Sequence, residues 1–176
     1  LSKVTVSDIN VNKYGGKSVY INYDNNKKPL YLSLPSMVAP FGLNRWQDEG
    51  NKDAVPRYSV ILSFNGMDNN PKLKACYEKL KAFDDLMINI GVKNSKKWFK
   101  KTKSKAVIED NYNSIILQDE EKKYPPKFRK INIRSSQHVR GADKQKVDTL
   151  QCTFYDSKKK DEHRKPLMID VSPDQI

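Results

Sequence analysis

Between Lys93 and Lys105 the chain reads KNSKKWFKKTKSK: seven lysines, no acid, and Trp98 beside Phe99 in the middle. Ammonium groups attract phosphates. Flat rings offer faces on which unpaired bases stack, at about 1–3 kcal/mol per base whatever the base. The same run could be a solvated helix face or a nuclear-import signal, so alone it leaves three readings open. Three more cationic clusters occur. One is Lys122, Lys123, Lys127, Arg129, Lys130 and Arg134; another is Arg140, Lys144 and Lys146; the last is Lys158, Lys159, Lys160, Arg164 and Lys165. Tyr124, Tyr155 and Tyr58, which follows Arg57, supply further rings beside these cations. On KFRKINIR, where the alternation is imperfect, Lys127 and Arg129 are set opposite Phe128, with Arg134 expected to join them, so a charged segment becomes a charged row. Cations interleaved with rings suit a single strand better than a duplex, whose bases are already stacked.

Catalytic chemistry finds little support. His138 and His163 stand alone on expected loops, with neither a second histidine at ligand spacing nor a cysteine pair nearby, so no metal site is expected. No Gly-rich phosphate cradle occurs, and no cofactor is expected. Asp84 and Asp85 are helix neighbours pointing in different directions, a poor arrangement for a two-metal hydrolase. Cys76 and Cys152 follow no spacing pattern and read as buried thiols in a reducing compartment.

The elements that must position these groups come from hydrophobic periodicity. At 176 residues the chain is read as one domain, 1–176, long enough to bury a core. Its net charge of +12, from 33 basic and 21 acidic residues, favours nucleic acid or an anionic surface as partner. No apolar stretch is long enough for a membrane span or a signal-peptide core, and no membrane partner is expected. VTVSDINV, SVYINY after Gly15-Gly16, and LYLSLP read as strands, and RYSVILSF as a central one. Phe41 and Trp46, in the long connection between prolines, are placed in the core. Asn70 caps a helix beginning at Pro71, with Leu73, Tyr77, Leu80, Phe83, Met87 and Ile90 inward, ending at Gly91. Ser95 is placed as the cap of a short second helix through Lys101. Residues 106–126 read as loop with one extended piece. KFRKINIR, TLQCTFYD and PLMIDV follow as strands, joined by a polar hairpin loop, SSQHVRGADKQKVD, and a basic turn. Mostly strands around one long helix make an α+β protein that is mainly β.

Several stretches together resemble one family. RYSVILSFNGMDNNPKLKACYEKLKAFDDLM is similar to the strand, turn and proline-initiated helix of the single-stranded-DNA-binding proteins of short-tailed phages, which have relatives in the nucleocytoplasmic large DNA viruses. KFRKINIR and TLQCTFYDSKKKDEHRKPLMIDV resemble the hairpin that follows that helix, and LSLPSMVAPFGLNRW the PFGL loop of the large-virus branch. The resemblance implies an OB-fold: a five-stranded barrel with the long amphipathic helix, about 71–90, inserted between strands. It implies sequence-tolerant single-stranded-DNA binding in viral replication, recombination and repair, inside the host cell in cytoplasm or nucleus, alongside viral replication proteins. A homodimer is compatible with it. The family continues past the position matching Val171, and its phage members end in an acidic tail; neither feature is present here, so the chain is expected to be truncated at its C-terminus.

The expected phosphate contacts are Lys96, Lys97, Lys100, Lys101, Lys103, Arg129, Lys130, Arg134, Lys158 and Arg164. The expected stacking rings are Trp98, Tyr155, Tyr58 and Tyr124. An RNA-binding OB-type module, using the same residues, and a basic protein coating duplex DNA are the alternatives.

Overall fold

Asn70 and Pro71 start the longest element of the protein. In the computed structural model the Asn70 side chain accepts from Leu73 N at 3.2 Å, and Pro71 opens a 23-residue helix, α1 (Pro71–Lys93). The structure describes the backbone of residues 1–24, 28–51, 54–140, 145–152, 154–160 and 166–169, and side chains over 1–24, 28–51, 54–134 and 150–152. The protein is α+β, mainly strands with a single long helix. The chain divides into two compact units, residues 1–37 with 66–116, and residues 38–65 with 117–176.

In the first unit β1 (Val4–Val6) precedes a small hairpin, β2 (Asn10–Val11) and β3 (Lys17–Ser18). The turn between them is closed by Asn12 Oδ1, which accepts from Tyr14 N and Gly16 N, with Gly15 at φ +80°. β4 (Ile21–Tyr23) pairs with β1 and with β5 (Lys28–Pro29), both antiparallel. Val6 and Ile21 of this sheet and Phe83 and Met87 of α1 line one cavity of about 510 Å³, so the apolar stripe of the helix faces the sheet. Leu73, Leu80, Phe83 and Ile88 are its buried apolar members.

LYLSLP is not a strand. After Leu30 N donates to Ile21 O the ladder ends, and the segment runs beside α1, with Leu32 and Leu34 lining a cleft with Ala75, Cys76 and Leu80. Alternation promises an apolar face; a strand also needs a partner edge. Gly91 does not end α1 either. A Cβ there would meet Ile108 Cγ2 at 3.2 Å, so the glycine lets a neighbouring helix approach rather than stopping its own. That neighbour is α3 (Lys105–Asp110), in a stretch expected to be loop. Ser104 caps it by accepting from Val107 N, and Lys105 pairs with Glu109 one turn on. Between them Asn94, not Ser95, occupies the N-cap position of α2 (Ser95–Phe99), its side chain donating back to Ile90 O, while the buried Ser95 hydroxyl accepts from Lys103 N. α2 stops at Lys100, in the left-handed region at φ +61°, and not at Lys101.

Asp84 locks this unit. It is buried on α1, accepts from Tyr112 Oη at 2.7 Å, and takes the Ile115 N–H on both oxygens at 3.2 and 3.1 Å. Asp85 is exposed, so the two acids do point apart. Burial, and then the Asp84 carboxylate it donates to, push the Tyr112 phenol above its ordinary range. A phenol whose pKa is higher folded than unfolded supports the fold fully below its unfolded value near ~10; this support is lost as pH rises through the folded value. Tyr112→Phe should therefore narrow its stability gap from wild type between pH ~9 and pH ~11, read as urea midpoints. A gap constant over that range rules the linkage out.

In the second unit β6 (Leu43–Trp46), β7 (Arg57–Val60) and β10 (Ile131–Ile133) form an antiparallel sheet with β7 in the centre, the place expected for RYSVILSF. The helical segment is thus inserted, in sequence, between two strands that pair. β8 (Ile116–Leu117) and β9 (Lys127–Phe128) are two residues each, so KFRKINIR is broken at Arg129–Lys130 rather than continuous. Phe64 and Phe128 stack at 5.4 Å, and these two with Tyr58 are the buried aromatic residues of this unit among those described. SSQHVRGADKQKVD, expected as a loop, contains β11 (Ser135–Arg140), which pairs in a six-residue ladder with β12 (Gln145–Leu150). TLQCTFYD is interrupted after Leu150, and β13 (Phe154–Lys160) pairs with β14 (Pro166–Ile169). The strands lie in sheets of two or three, and no closed barrel is found among the described residues. Cys76 is half-buried and Cys152 exposed, against the expectation of two buried thiols.

Candidate nucleic-acid interface

The lysine run folds into a groove. α2 and the turn after it bring Trp98, Phe99, Lys100, Lys101 and Lys103 against Ile9, Lys17, Ser18 and Val19 from the β2–β3 hairpin, around an open depression of about 580 Å³. The left-handed turn at Lys100 makes this possible: it breaks α2, so that residues after Phe99 fold back along the hairpin. Lys100 holds this backbone without being glycine, at a strain of about 1–3 kcal/mol. Four cations, Lys17, Lys100, Lys101 and Lys103, thus face one opening, and among the described residues none of them is ion-paired with a carboxylate.

The rings divide differently from expectation. Trp98 is half-buried; it lines the groove and also the apolar cavity against Phe83 and Met87. Phe99 is the more open ring, 45% exposed, edge-on to Trp98 at 6.4 Å and with Lys103 Nζ 4.8 Å from its centroid. Among the cations and rings of the groove, Phe99 and Lys17 are the two that were not among the expected contacts. Phe99 was legible in the run itself. Lys17 lies some eighty positions away, in a two-residue strand with no signal of its own.

The expected contacts are not all in the groove. Lys96 is exposed on α2 but does not line the depression. Lys97 is ion-paired with Asp8, an exposed bridge that adds at most about 1 kcal/mol and partly neutralises a cation counted for phosphate. Tyr58, Tyr124, Arg129, Lys130 and Arg134 belong to the other unit. Tyr58 is corrected outright. It is 1% exposed, with its hydroxyl accepting from Arg45 Nε at 3.2 Å, because it sits on the core face of the central strand and no base can reach the ring. Tyr124 is 65% exposed with Lys123 Nζ 5.8 Å from its centroid, and Arg129, Lys130 and Arg134 are exposed. The side chains of Tyr155 and Lys158, on β13, and the whole of Arg164 lie outside the described residues, as do the side chains of His138 and His163.

Compared with protein-family models, with curated proteins and with solved structures, the chain matches none. The groove's own chemistry must therefore carry the functional reading. Among the described residues no cluster of three or more His, Cys, Asp or Glu could hold a metal ion. Nor is any described helix long and apolar enough to cross a membrane. What the groove presents is four ammonium groups and two aromatic rings along one opening.

Proposed function

We propose that the protein binds single-stranded DNA with little regard to sequence, in the groove between α2 and the β2–β3 hairpin. One observation carries this: four lysines, with no carboxylate partner among the described residues, and two aromatic rings line the same opening. Lys17, Lys100, Lys101 and Lys103 contact successive phosphates, and Phe99 with the open edge of Trp98 stacks unpaired bases. Lysine is a point charge without the planar fork that reads a base edge, so such a site grips the backbone and tolerates any sequence. Tyr124 with Arg129, Lys130 and Arg134 adds a further basic, ring-bearing surface on the second unit. A role in viral DNA replication and recombination, in the host cell and beside viral replication proteins, accompanies this reading through the sequence resemblance. So does the five-stranded OB-type barrel, to which the β6–β7–β10 sheet would contribute three strands.

The deciding experiment is competition between a labelled single strand and a duplex of equal length, followed by anisotropy, with a matched RNA strand as a third arm. The single DNA strand should win. Four phosphate contacts at about −0.7 each give a log–log salt slope near −3. Equal or better binding of duplex would move the reading to a duplex-coating protein, and a preference for RNA to an RNA-binding module.

A further inference from the structure

Trp46, expected in the core, is 51% exposed, and its exposure is organised. β6 and β7 set Trp46 directly opposite Arg57, whose guanidinium carbon lies 5.4 Å from the indole centroid. The adjacent cross-strand pair, Arg45 and Tyr58, turns to the other face, where the two are hydrogen-bonded and Tyr58 is buried. Trp46 and Arg57 therefore lie on the face away from that core. The register puts Asn44, Ser59 and Asn132 in one row across the same face; the two asparagines are exposed and the small Ser59 between them, on the central strand, is buried. Strand alternation adds the exposed Arg134, two residues beyond Asn132. Asn44 stands one strand repeat, about 7 Å, from Trp46, which matches the size of a base.

We propose that this face of the β6–β7–β10 sheet is a second binding site for single-stranded nucleic acid. An unpaired base stacks on the Trp46–Arg57 pair, its edge meets the Asn44 or Asn132 amide, and the adjoining phosphate pairs with Arg134. The chemistry selects this ligand over others. A phosphate site alone has no use for an exposed indole, and an apolar docking patch would not carry a guanidinium on its ring. An amide both donates and accepts, as a base edge requires. A sheet presenting stacked rings and cations is a recurrent way of holding unpaired bases. The ligand class rests on the function proposed above, but none of the groove's lysines takes part.

The chain has two tryptophans, Trp46 and Trp98, so each can be made the sole indole. Trp98→Phe should show Trp46 emission quenched on titration with oligo(dT) of about 20 nucleotides. Trp46→Ala should lose affinity about tenfold, and still do so at ~0.5 M salt, whereas Trp46→Phe should keep most of it. If Trp46→Ala does not fold, as judged by circular dichroism, the quenching in Trp98→Phe decides. Silent Trp46 emission while anisotropy reports binding overturns this site and leaves the groove standing. No binding by anisotropy at ~50 mM salt removes the groove and this site together.

Discussion

Replacing Lys100, Lys101 and Lys103 together with glutamine is expected to weaken single-strand binding about a hundredfold at ~0.1 M salt and to leave the fold intact. Each of the three faces the groove, and among the described residues each lacks a carboxylate partner, so the cation is available to a phosphate. Each contact on a single strand contributes about −0.7 to the slope of log K against log salt, so losing three flattens it by about 2. Extrapolated from ~1 M down to ~0.1 M salt, that difference is about two decades of affinity. The loss should be the same for oligonucleotides of different sequence, because lysine reads charge. Lys100→Gly separates binding from folding. Glycine adopts φ +61° without strain, so this variant should be at least as stable as wild type while it binds more weakly. An unchanged salt slope in the triple variant would show that phosphates are held elsewhere.

Asp84→Ala is expected to have the largest effect on stability, about 3 kcal/mol, and none on the chemistry of the groove. The carboxylate is buried and serves two donors, Tyr112 Oη and Ile115 N. Removing it strands both, at about 1–3 kcal/mol each, and empties the space of the side chain. With a denaturant slope of about 2 kcal/mol per molar, the urea midpoint should fall by ~1.5 M. Asp84→Asn retains one acceptor oxygen and should lose less than half as much. A midpoint shift under ~0.3 M for the alanine variant would mean that water replaces the carboxylate and that Asp84 is not a lock.

α1 was legible because its signals are local. An asparagine cap, a proline at the first position and an apolar stripe all lie within one stretch, and helix hydrogen bonds need no distant partner. Its end was misread for the opposite reason. Gly91 looks like a stop, yet its meaning lies in Ile108, seventeen positions on, which needs a surface without a Cβ. The central placement of RYSVILSF, which holds β7, came from its nearly continuous apolar character. LYLSLP has an equally good pattern and makes no ladder, since pattern says nothing about a free neighbouring edge. The hairpin from Ser135 to Leu150 shows the converse: its letters are polar, while the ladder is made by backbone groups common to every residue.

The sequence by itself determined the charge, the helix and the cluster of lysines around two rings, because composition and short-range periodicity are properties of neighbouring residues. Only the tertiary structure decided which rings face water. Tyr58 and Trp46 sit on adjacent strands of one sheet, and alternation sends one into the core and the other out, the reverse of their expected places. Only the tertiary structure, too, set Lys17 beside Lys100, since a strand of two residues has no period to read and its position is fixed by long-range packing.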